Sequence, residues 1–214
     1  MIDFSRILTQ YSELMLTAIR QHILISLVSV TLGFLTAFPL GIYLSKHKKL
    51  AQWVLNISSI VNTIPSLVLL GVAMIFLGLG FWTAVSVLYV YSLLPILRNT
   101  TTGLMEVDPQ YVKIAKGLGM TSWQILWKVE IPLALPTIVS GVRMSAVYII
   151  SWATLAALIG AGGLGDLIWM GLQSYNFDLI FAGSIPATIM ALLVSFSLGL
   201  VERLVSKYSQ GGTS

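Results

Sequence analysis

The stretch QHILISLVSVTLGFLTAFPLGIYLS, residues 21–45, decides the fold because it contains no Asp, Glu, Lys or Arg. About 20 predominantly apolar residues are enough for one helix to cross the hydrocarbon core of a bilayer. In lipid such a segment is helical, since a helix satisfies its backbone hydrogen bonds internally. The sequence predicts a first membrane span at about 22–46. The span is too long for the apolar part of a signal peptide, so we expect it to be retained.

The composition of the whole chain extends this prediction to the entire molecule. The 214 residues are 57% hydrophobic and 9% charged, whereas soluble domains carry about 25% charged residues. A water-soluble fold could not cover its surface with so few charges, so we expect an all-α integral membrane protein. The chain has no cysteine, which excludes disulfides, thiolate zinc sites and cysteine nucleophiles. Its two histidines are too few for a metal site built on histidine.

Three further uncharged stretches, between Lys49 and Arg98, Arg143 and Asp166, and Asp178 and Glu202, predict four more membrane spans, because the first is long enough for two. The predicted spans are at about 52–76, 81–99, 136–160 and 179–201. Pro65 lies inside the second span, where proline removes a backbone N–H and kinks a helix. A kink that serves packing is the favoured interpretation, because proline is common in membrane helices. The alternative is a broken helix that lines a pathway.

The distribution of Lys and Arg predicts the orientation. With five spans, Arg6 and Arg20 lie on one side of the membrane, and the other ten cations lie on the opposite side. The cation-rich side is cytoplasmic, which places the N-terminus outside and the C-terminus inside. The positive-inside rule depends on where Lys and Arg lie and not on the net charge of +4, and we expect no nucleic-acid partner. We expect an external segment at 1–21, a transmembrane domain at 22–201 with a cytoplasmic loop at 106–132 and an external glycine-rich segment at 160–178, and a cytoplasmic tail at 202–214.

The loop EVDPQYVKIAKGLGMTSWQILWKVEIP, residues 106–132, begins with a predicted helix. Asp108 can cap a helix whose first residue is Pro109, a position at which proline is favoured. The helix is predicted to end at about Leu118, and Gly119 suits the left-handed residue that stops a helix.

A second helix is predicted after this glycine, which makes the loop a hairpin. Thr121 and Gln124 have the spacing of a capping box, and the helix is expected to end before Pro132. One face is apolar and the other is polar: Ile114, Leu118, Ile125, Leu126 and Val129 against Lys113, Lys116, Gln124 and Lys128. The hairpin could lie on anionic lipid headgroups or dock into a groove of another protein, and these residues alone do not separate the two.

The hairpin resembles the signature loop of the membrane subunits of binding-protein-dependent ABC importers. The pattern of that loop is Glu-Ala-Ala, three residues, Gly, nine residues, then Ile, any residue and Leu-Pro. Gly119 takes the position of the glycine, residues 113–115 take that of Glu-Ala-Ala, and residues 129–132 take the last part. Lys113 departs from the pattern by reversing a charge, which puts in doubt any contact made by the glutamate of the family.

A closer resemblance extends from about residue 22 to residue 175. The stretches IPSLVLLG, YSLLPILRNT, GLGMTSWQILWKVEIPLALPTIVSGVR and LIGAGGLGDLI are similar to the permease subunits of osmoprotectant importers, which take up glycine betaine, carnitine, choline or proline betaine. The resemblance implies the fold of a type I ABC importer permease with no catalytic role and no cofactor of its own. It also implies cytoplasmic ATPase subunits that bind ATP and Mg, a second permease subunit, identical or homologous, and an extracellular or lipid-anchored substrate-binding protein.

The same resemblance implies that residues 108–132 are the coupling element, which sits in a groove of the ATPase. The candidate coupling residues are Lys113, Ile114, Ala115, Gly117, Leu118, Gly119, Met120, Trp123, Val129 and Pro132.

The sequence GAGGLG, residues 160–165, matches a dinucleotide fingerprint, but it follows a membrane span and not a strand. A flexible external turn followed by a short helix at about Leu164–Gln173 is the favoured interpretation. The resemblance supports an external gate near this turn, with Gly160, Gly162, Gly163 and Gly165 as candidates. Asp166 and Asp178 flank the external segment, and we expect both to be solvated.

Aromatic side chains within the predicted spans are candidates for the transport pathway, because quaternary ammonium cations bind over aromatic rings. The candidates are Tyr89, Tyr91, Tyr148 and Trp152, together with Pro65. Packing is the alternative role for each of them. An importer of another small solute such as methionine is the second functional hypothesis. An intramembrane enzyme or a channel is a remote third, because the spans contain no nucleophile with a base, no metal cluster and no ring of charges.

Overall fold

The computed structural model describes residues 11–209, with side chains described as far as Lys207. Every regular element in this range is helical, which confirms the all-α prediction. The α-helices are α1 (Ser12–Ser45), α2 (Lys48–Thr63), α3 (Ser66–Leu77), α4 (Phe81–Met105), α5 (Pro109–Gly117), α6 (Ser122–Ile125), α7 (Ile131–Ala153), α8 (Leu164–Gln173) and α9 (Phe177–Ser209). A π-helical turn, Leu126–Glu130, joins α6 to α7, and a 3₁₀ segment, Thr154–Ile159, extends α7.

Four helical segments of the described range are long and apolar enough to cross a membrane. They are α1, α4, α9 and the continuous run from Ser122 to Ile159. The pair of α2 and α3 makes a fifth crossing if the two helices are counted as one bent span. The prediction of about five spans is therefore confirmed, with the second span broken.

The break in the second span corrects the favoured interpretation of Pro65 as a packing kink. The axes of α2 and α3 differ by 91°, and Ile64 and Pro65 between them have extended backbone angles. Proline disfavours the helical conformation of the residue before it, which explains why α2 ends at Thr63. The hydroxyl of Tyr91 donates a hydrogen bond to the carbonyl oxygen of Ile64, which the break leaves without its helical partner.

Several helices extend beyond the predicted spans. The first begins at Ser12 and not at 22, α4 continues to Met105 beyond 99, and α9 continues to Ser209 beyond 201. Charged residues mark where the uncharged stretches end, but a helix can continue past the bilayer because its backbone is satisfied on either side of the boundary. The remainder of the predicted external segment, residues 1–10, and the end of the tail, residues 210–214, lie outside the described residues.

Close contacts at small residues hold α1 against α4. A Cβ at Gly33 would lie 1.9 Å from Ser92 Oγ, and a Cβ at Gly41 would lie 2.7 Å from Thr100 Cβ. Small residues at such positions let the backbones of membrane helices approach each other. The largest buried side chain in this part of the molecule is Tyr91, and it packs in one cluster with the buried apolar side chains around it.

The two ends of the bundle are marked by different contacts. Gly80 N–H, just before α4, donates to Ile159 O, at the end of the 3₁₀ segment, over 2.9 Å. Lys46, just after α1, pairs with Glu130 at the start of α7. The first contact joins the start of α4 to the end of the helical run that contains α7, and the second joins the end of α1 to the start of α7. Both α1 and α4 therefore run antiparallel to α7, as expected if successive crossings alternate in direction.

Candidate coupling hairpin, pathway and external gate

The first turn of the predicted hairpin forms as expected from its residues. Asp108 Oδ1 accepts a hydrogen bond of 2.8 Å from Gln110 N–H, and Pro109 is the first residue of α5. Gly119 has a φ of 78°, the left-handed conformation in which glycine carries no penalty. The helix ends at Gly117, one residue before the predicted end.

The second helix of the hairpin begins as predicted but does not end before Pro132. Thr121 and Gln124 form both hydrogen bonds of a capping box, at 3.3 and 2.9 Å. The chain then passes through the π-helical turn directly into α7. Ile131 N–H donates to Leu126 O, five residues back, and this wider turn carries the helix past Pro132, which has no N–H to donate.

The hairpin presents large apolar side chains to its surroundings. Leu118 is 77% exposed, Trp123 is 67% exposed and Ile114 is 61% exposed. The rings of Trp123 and Trp127 pack edge to face with their centroids 5.5 Å apart. An exposed apolar group of this size on a short hairpin is typical of a surface that another protein covers.

The remaining candidate coupling residues divide by exposure. Lys113, Gly117, Gly119 and Pro132 are exposed, Met120 and Val129 are half-buried, and Ala115 is buried. The predicted apolar face is also divided, because Ile125 and Leu126 are buried in the hairpin while Ile114 and Leu118 are not. Ala115 therefore holds the hairpin together and the exposed residues are available for contact. Beside Val129 and Pro132 a groove of about 560 Å³ extends to Tyr111 and Leu204.

An ion pair that the sequence did not predict joins the hairpin to the first helix. Lys46 Nζ lies 2.7 Å from Glu130 Oε1 and 2.6 Å from Glu130 Oε2, so the lysine contacts both carboxylate oxygens. Glu130 is buried, with 8% of its surface exposed, whereas the side chain of Lys46 is half-exposed. A buried carboxylate needs such a partner, because losing hydration without a counter-ion is costly.

The glycine segment, residues 160–165, is mostly buried and not the free turn that was predicted. Gly163 N–H donates to Gln21 Oε1 over 3.0 Å, and Leu164 N–H donates to His22 Nδ1 over 3.3 Å. His22 in turn donates from Nε2 to Ile150 O over 2.9 Å. Apart from Gly160, all residues of this segment are buried. The segment is therefore attached to the external end of α1, and α8 follows it over the predicted range.

Glycine is required where this segment meets α1. The φ angles of Gly162 and Gly163 are 82° and 96°, and a Cβ at Gly162 would lie 2.3 Å from Gln21 Oε1. Gly165 packs equally closely, since its Cβ would lie 1.9 Å from Thr154 O. Any larger side chain would separate the segment from the helices beneath it.

Asp166, in the first turn of α8, and Asp178, in the first turn of α9, are half-buried, whereas the sequence predicted that both are solvated. Burial raises the pKa of the Asp166 carboxyl above its ordinary value. The backbone N–H of Asp178, near the start of α9, donates to Asn176 Oδ1 over 3.0 Å.

Three of the four aromatic pathway candidates form one group, here called the aromatic cluster: Tyr91, Tyr148 and Trp152. The ring of Trp152 lies 4.7 Å from that of Tyr91 and 5.7 Å from that of Tyr148, between ring centroids. Tyr148 is 44% exposed, Trp152 is half-buried and Tyr91 is buried. The cluster adjoins the break at Pro65 through the hydrogen bond from Tyr91 to Ile64. Tyr89 makes no ring contact with the cluster in the described part of the chain.

Comparison with known sequences points to one family. Residues 29–208 match the family described as "Binding-protein-dependent transport system inner membrane component". The carnitine transport permease protein OpuCB of Listeria monocytogenes is 50% identical over 87% of this chain and 86% of its own length. The glycine betaine/carnitine/choline transport system permease protein OpuCB of Bacillus subtilis is 46% identical over 87% of this chain and 86% of its own length. The choline transport system permease protein OpuBB of Bacillus subtilis is 45% identical over 86% of this chain and 84% of its own length.

Comparison with solved structures identifies the fold. The chain superposes on inward-facing MetNI, a methionine ABC transporter, with a TM-score of 0.81, 24% identity, and coverage of 92% of this chain and 98% of the other. An amino acid ABC transporter crystallised with histidines gives a TM-score of 0.74 at 21% identity, covering 95% of this chain and 99% of the other. These likenesses confirm the predicted fold of an ABC importer permease.

Proposed function

Because the chain belongs to the inner-membrane components of binding-protein-dependent transport systems, we propose that its cargo is a quaternary ammonium compatible solute such as glycine betaine, carnitine or choline. The chain is a multi-pass permease subunit of an ABC importer, and it has no catalytic role of its own. The observation that carries the proposed cargo is the identity of 45–50% to permeases named for carnitine, glycine betaine and choline transport. These three solutes share a trimethylammonium group.

Methionine is the alternative cargo, and the likeness to a methionine transporter does not favour it. The sequence identity to the methionine transporter is 24%, so this comparison supports the shared fold only. The relatives near 50% identity are named for trimethylammonium solutes. A competition experiment separates the two cargoes directly.

The proposed coupling element is the hairpin of residues 108–132, which would dock into a groove of a cytoplasmic ATPase that binds ATP and Mg. The exposed Ile114, Leu118 and Trp123 support docking, since helical apolar anchors of this kind fit a hydrophobic groove. The exposed Lys113 stands where the family pattern has glutamate, and we propose that it meets an acidic or neutral part of that groove. A second permease subunit and an external substrate-binding protein would complete the importer, with membrane lipid around it.

The proposed pathway runs beside the aromatic cluster at the broken second span. The exposed face of Tyr148 and the adjoining Trp152 support a transient site for a trimethylammonium group, which is attracted to the negative face of an aromatic ring. The break at Pro65 supports this location, because non-helical backbone within a membrane is tolerated only inside protein or beside a water-filled cavity.

The test is transport by the complex isolated from membranes. The tagged permease is expected to co-purify with an ATPase, and the reconstituted complex with its binding protein should take up radiolabelled glycine betaine, carnitine or choline when supplied with ATP. Excess unlabelled trimethylammonium solutes should compete, and excess methionine should not. Uptake of methionine without uptake of any trimethylammonium solute would refute the proposed cargo. Absence of an ATPase from the complex would refute the coupling role.

A further inference from the structure

The first helix is attached at its cytoplasmic end to the coupling hairpin. This cytoplasmic anchor is the pair of Lys46, the residue after α1, and Glu130, the last residue of the π-helical turn. Glu130 is buried and both of its oxygens contact the lysine ammonium group. Any displacement of the hairpin that moves Glu130 must therefore move Lys46 or leave a carboxylate buried without a counter-ion, which is strongly unfavourable.

The same helix is attached at its other end to the glycine segment. This external anchor consists of Gln21, which accepts from Gly163 N–H, and His22, which accepts from Leu164 N–H. Gly162 and Gly163 allow the close approach, because a Cβ at either would lie within 3.2 Å of these two side chains. The anchor thus fixes main-chain groups of the glycine segment, so a shift of α1 displaces its backbone.

Between the two anchors the chain is one α-helix as far as Ser45, and this helix continues through Pro39. From Gln21 to Lys46 it covers about 38 Å at 1.5 Å per residue, which is the thickness of a bilayer core and part of its interface. The contacts of Gly33 with Ser92 and of Gly41 with Thr100 support it along α4. A supported helix is stiff along its axis, so the two anchors move together.

We propose that α1 is a rod that transmits movement of the coupling hairpin to the external glycine segment, with Lys46, Glu130, Gln21 and His22 as positioning residues for transport. The inference rests on the proposed function of the hairpin and of the glycine segment. It assigns to the first helix a role in transmitting movement, whereas the resemblance of the signature loop concerns only contact with the ATPase. Loss of either anchor should separate ATP hydrolysis from movement of the gate without removing the ATPase.

Movement of the glycine segment can be followed with a single thiol, because the chain contains no cysteine. Gln173→Cys places the thiol at the exposed end of α8, which follows the glycine segment. The rate of its modification by a membrane-impermeant maleimide is measured in the reconstituted complex with and without ATP and Mg. In the Gln173→Cys background ATP is expected to change this rate, and uptake is expected to persist.

The cytoplasmic anchor is tested with Glu130→Gln, which keeps the shape of the side chain and removes its charge. The variant should keep its ATPase and hydrolyse ATP, while the ATP-dependent change in labelling is lost and uptake falls about tenfold, a size typical of coupling energies. The double variant Lys46→Glu/Glu130→Lys exchanges the two charges, and it should restore part of the ATP-dependent change in labelling and part of the uptake. The exposed Glu13→Gln and Lys49→Met serve as matched controls that change the same residue types at positions that belong to neither anchor.

An unchanged labelling response in Glu130→Gln would overturn the proposal. If Glu130→Gln does not assemble, Lys46→Met tests the same pair from its half-exposed side. Loss of assembly in both variants would also overturn the proposal, since the pair would then be a folding contact only.

The external anchor is tested with Gln21→Met, with its exposed neighbour Arg20→Met as the control. Gln21→Met removes one of the two hydrogen bonds of the anchor, so it should reduce the labelling response and leave ATP hydrolysis intact, and an unchanged response would overturn the proposal. Failure of the proposed function can be distinguished from failure of this proposal. In that case the Gln173→Cys protein without further substitutions would not co-purify with an ATPase or would not take up the solute. A background protein that transports but shows no labelling response would refute a gate at the glycine segment and the rod with it.

Discussion

Gly119 forms the turn of the proposed coupling hairpin in a backbone conformation that residues with a Cβ adopt at a cost. Its φ is 78°, and a Cβ there would meet no atom within 4 Å, so the restriction comes from the backbone and not from crowding. Left-handed backbone costs roughly 1–2 kcal/mol for residues with a Cβ. Gly119→Val is therefore expected to distort the turn and to reduce both ATPase co-purification and uptake, each by about tenfold. Pull-down from membranes and radiolabelled uptake measure the two effects.

The matched control for this substitution is Gly71→Val. Gly71 lies in α3 with ordinary backbone angles, and a Cβ there would also meet no atom within 4 Å. The control should retain its ATPase and its transport. A Gly119→Val protein that binds its ATPase and transports as well as the control would show that the turn plays no part in coupling.

Trp152 is the central ring of the aromatic cluster, since it contacts both Tyr91 and Tyr148. A cation over an aromatic face gains about 0.5–2 kcal/mol, so Trp152→Leu is expected to reduce uptake of choline or glycine betaine about tenfold. Trp152→Phe retains a ring and should retain most of the uptake. Trp82→Leu, at a tryptophan that is 71% exposed near the external end of α4, is the matched control. Equal losses in the Leu and Phe variants would assign Trp152 to packing.

The sequence predicted the roles of residues that act within one turn of the chain, but it did not predict contacts between residues far apart in the sequence. The capping roles of Asp108 and Thr121 and the left-handed Gly119 follow from residues within a few positions of each other, and the structure confirms them. Glu130 and His22 carried no such signal. Their partners are separated from them by 84 and up to 142 residues, and only the packing of the helices brings them together.

At the scale of the elements, the number of helices followed from hydrophobic length, but their breaks and ends did not. Proline indicated a disturbance at Pro65, yet propensity does not distinguish a kink from a bend of 91°, which the surrounding helices stabilise. The π-helical turn before Pro132 was missed for a related reason, because a proline usually marks a boundary and here a wider turn carries the helix past it.

The contact between α1 and α4 depends on the absence of a side chain at Gly33. A Cβ there would lie 1.9 Å from Ser92 Oγ and 3.0 Å from Ser92 Cβ. Gly33→Ala should force the two helices apart at a cost of about 1–3 kcal/mol and lower the melting temperature of the purified protein by roughly 3–6 °C. Thermal unfolding in one detergent, with all variants compared together, measures the shift.

Removal of the clashing atom provides the control for this prediction. Ser92→Ala deletes the hydroxyl that the new methyl group would meet, so the Gly33→Ala/Ser92→Ala protein should regain most of the lost melting temperature. Gly71→Ala makes the same change where a Cβ meets nothing within 4 Å, and should lower the melting temperature little or not at all. A melting temperature unaffected by Gly33→Ala would show that α1 and α4 are not packed at this point.

The molecule as a whole has the surface of a protein that is surrounded by lipid and by other subunits. Large apolar side chains are exposed along α1, α3 and α9, among them Leu35, Phe76 and Phe196. A soluble protein of this size would bury such residues. Composition alone predicted this property, because a charged fraction of 9% leaves most of the surface to apolar groups. The resemblance of long stretches to osmoprotectant permeases added the family, which neither charge nor periodicity could supply.

Orientation in the membrane is the last property that the whole molecule predicts. With five crossings, the excess of Lys and Arg on one side of the membrane predicts that the end of α8 lies outside the cell and the start of α2 in the cytoplasm. Since the chain has no cysteine, Gln173→Cys and Lys49→Cys each introduce one thiol at an exposed position on one of these two sides. In intact cells a membrane-impermeant maleimide should label the Gln173→Cys protein and not the Lys49→Cys protein. Permeabilisation of the membrane should allow the Lys49→Cys protein to be labelled. Labelling of both in intact cells, or of neither, would mean that the bent pair of α2 and α3 does not complete a crossing.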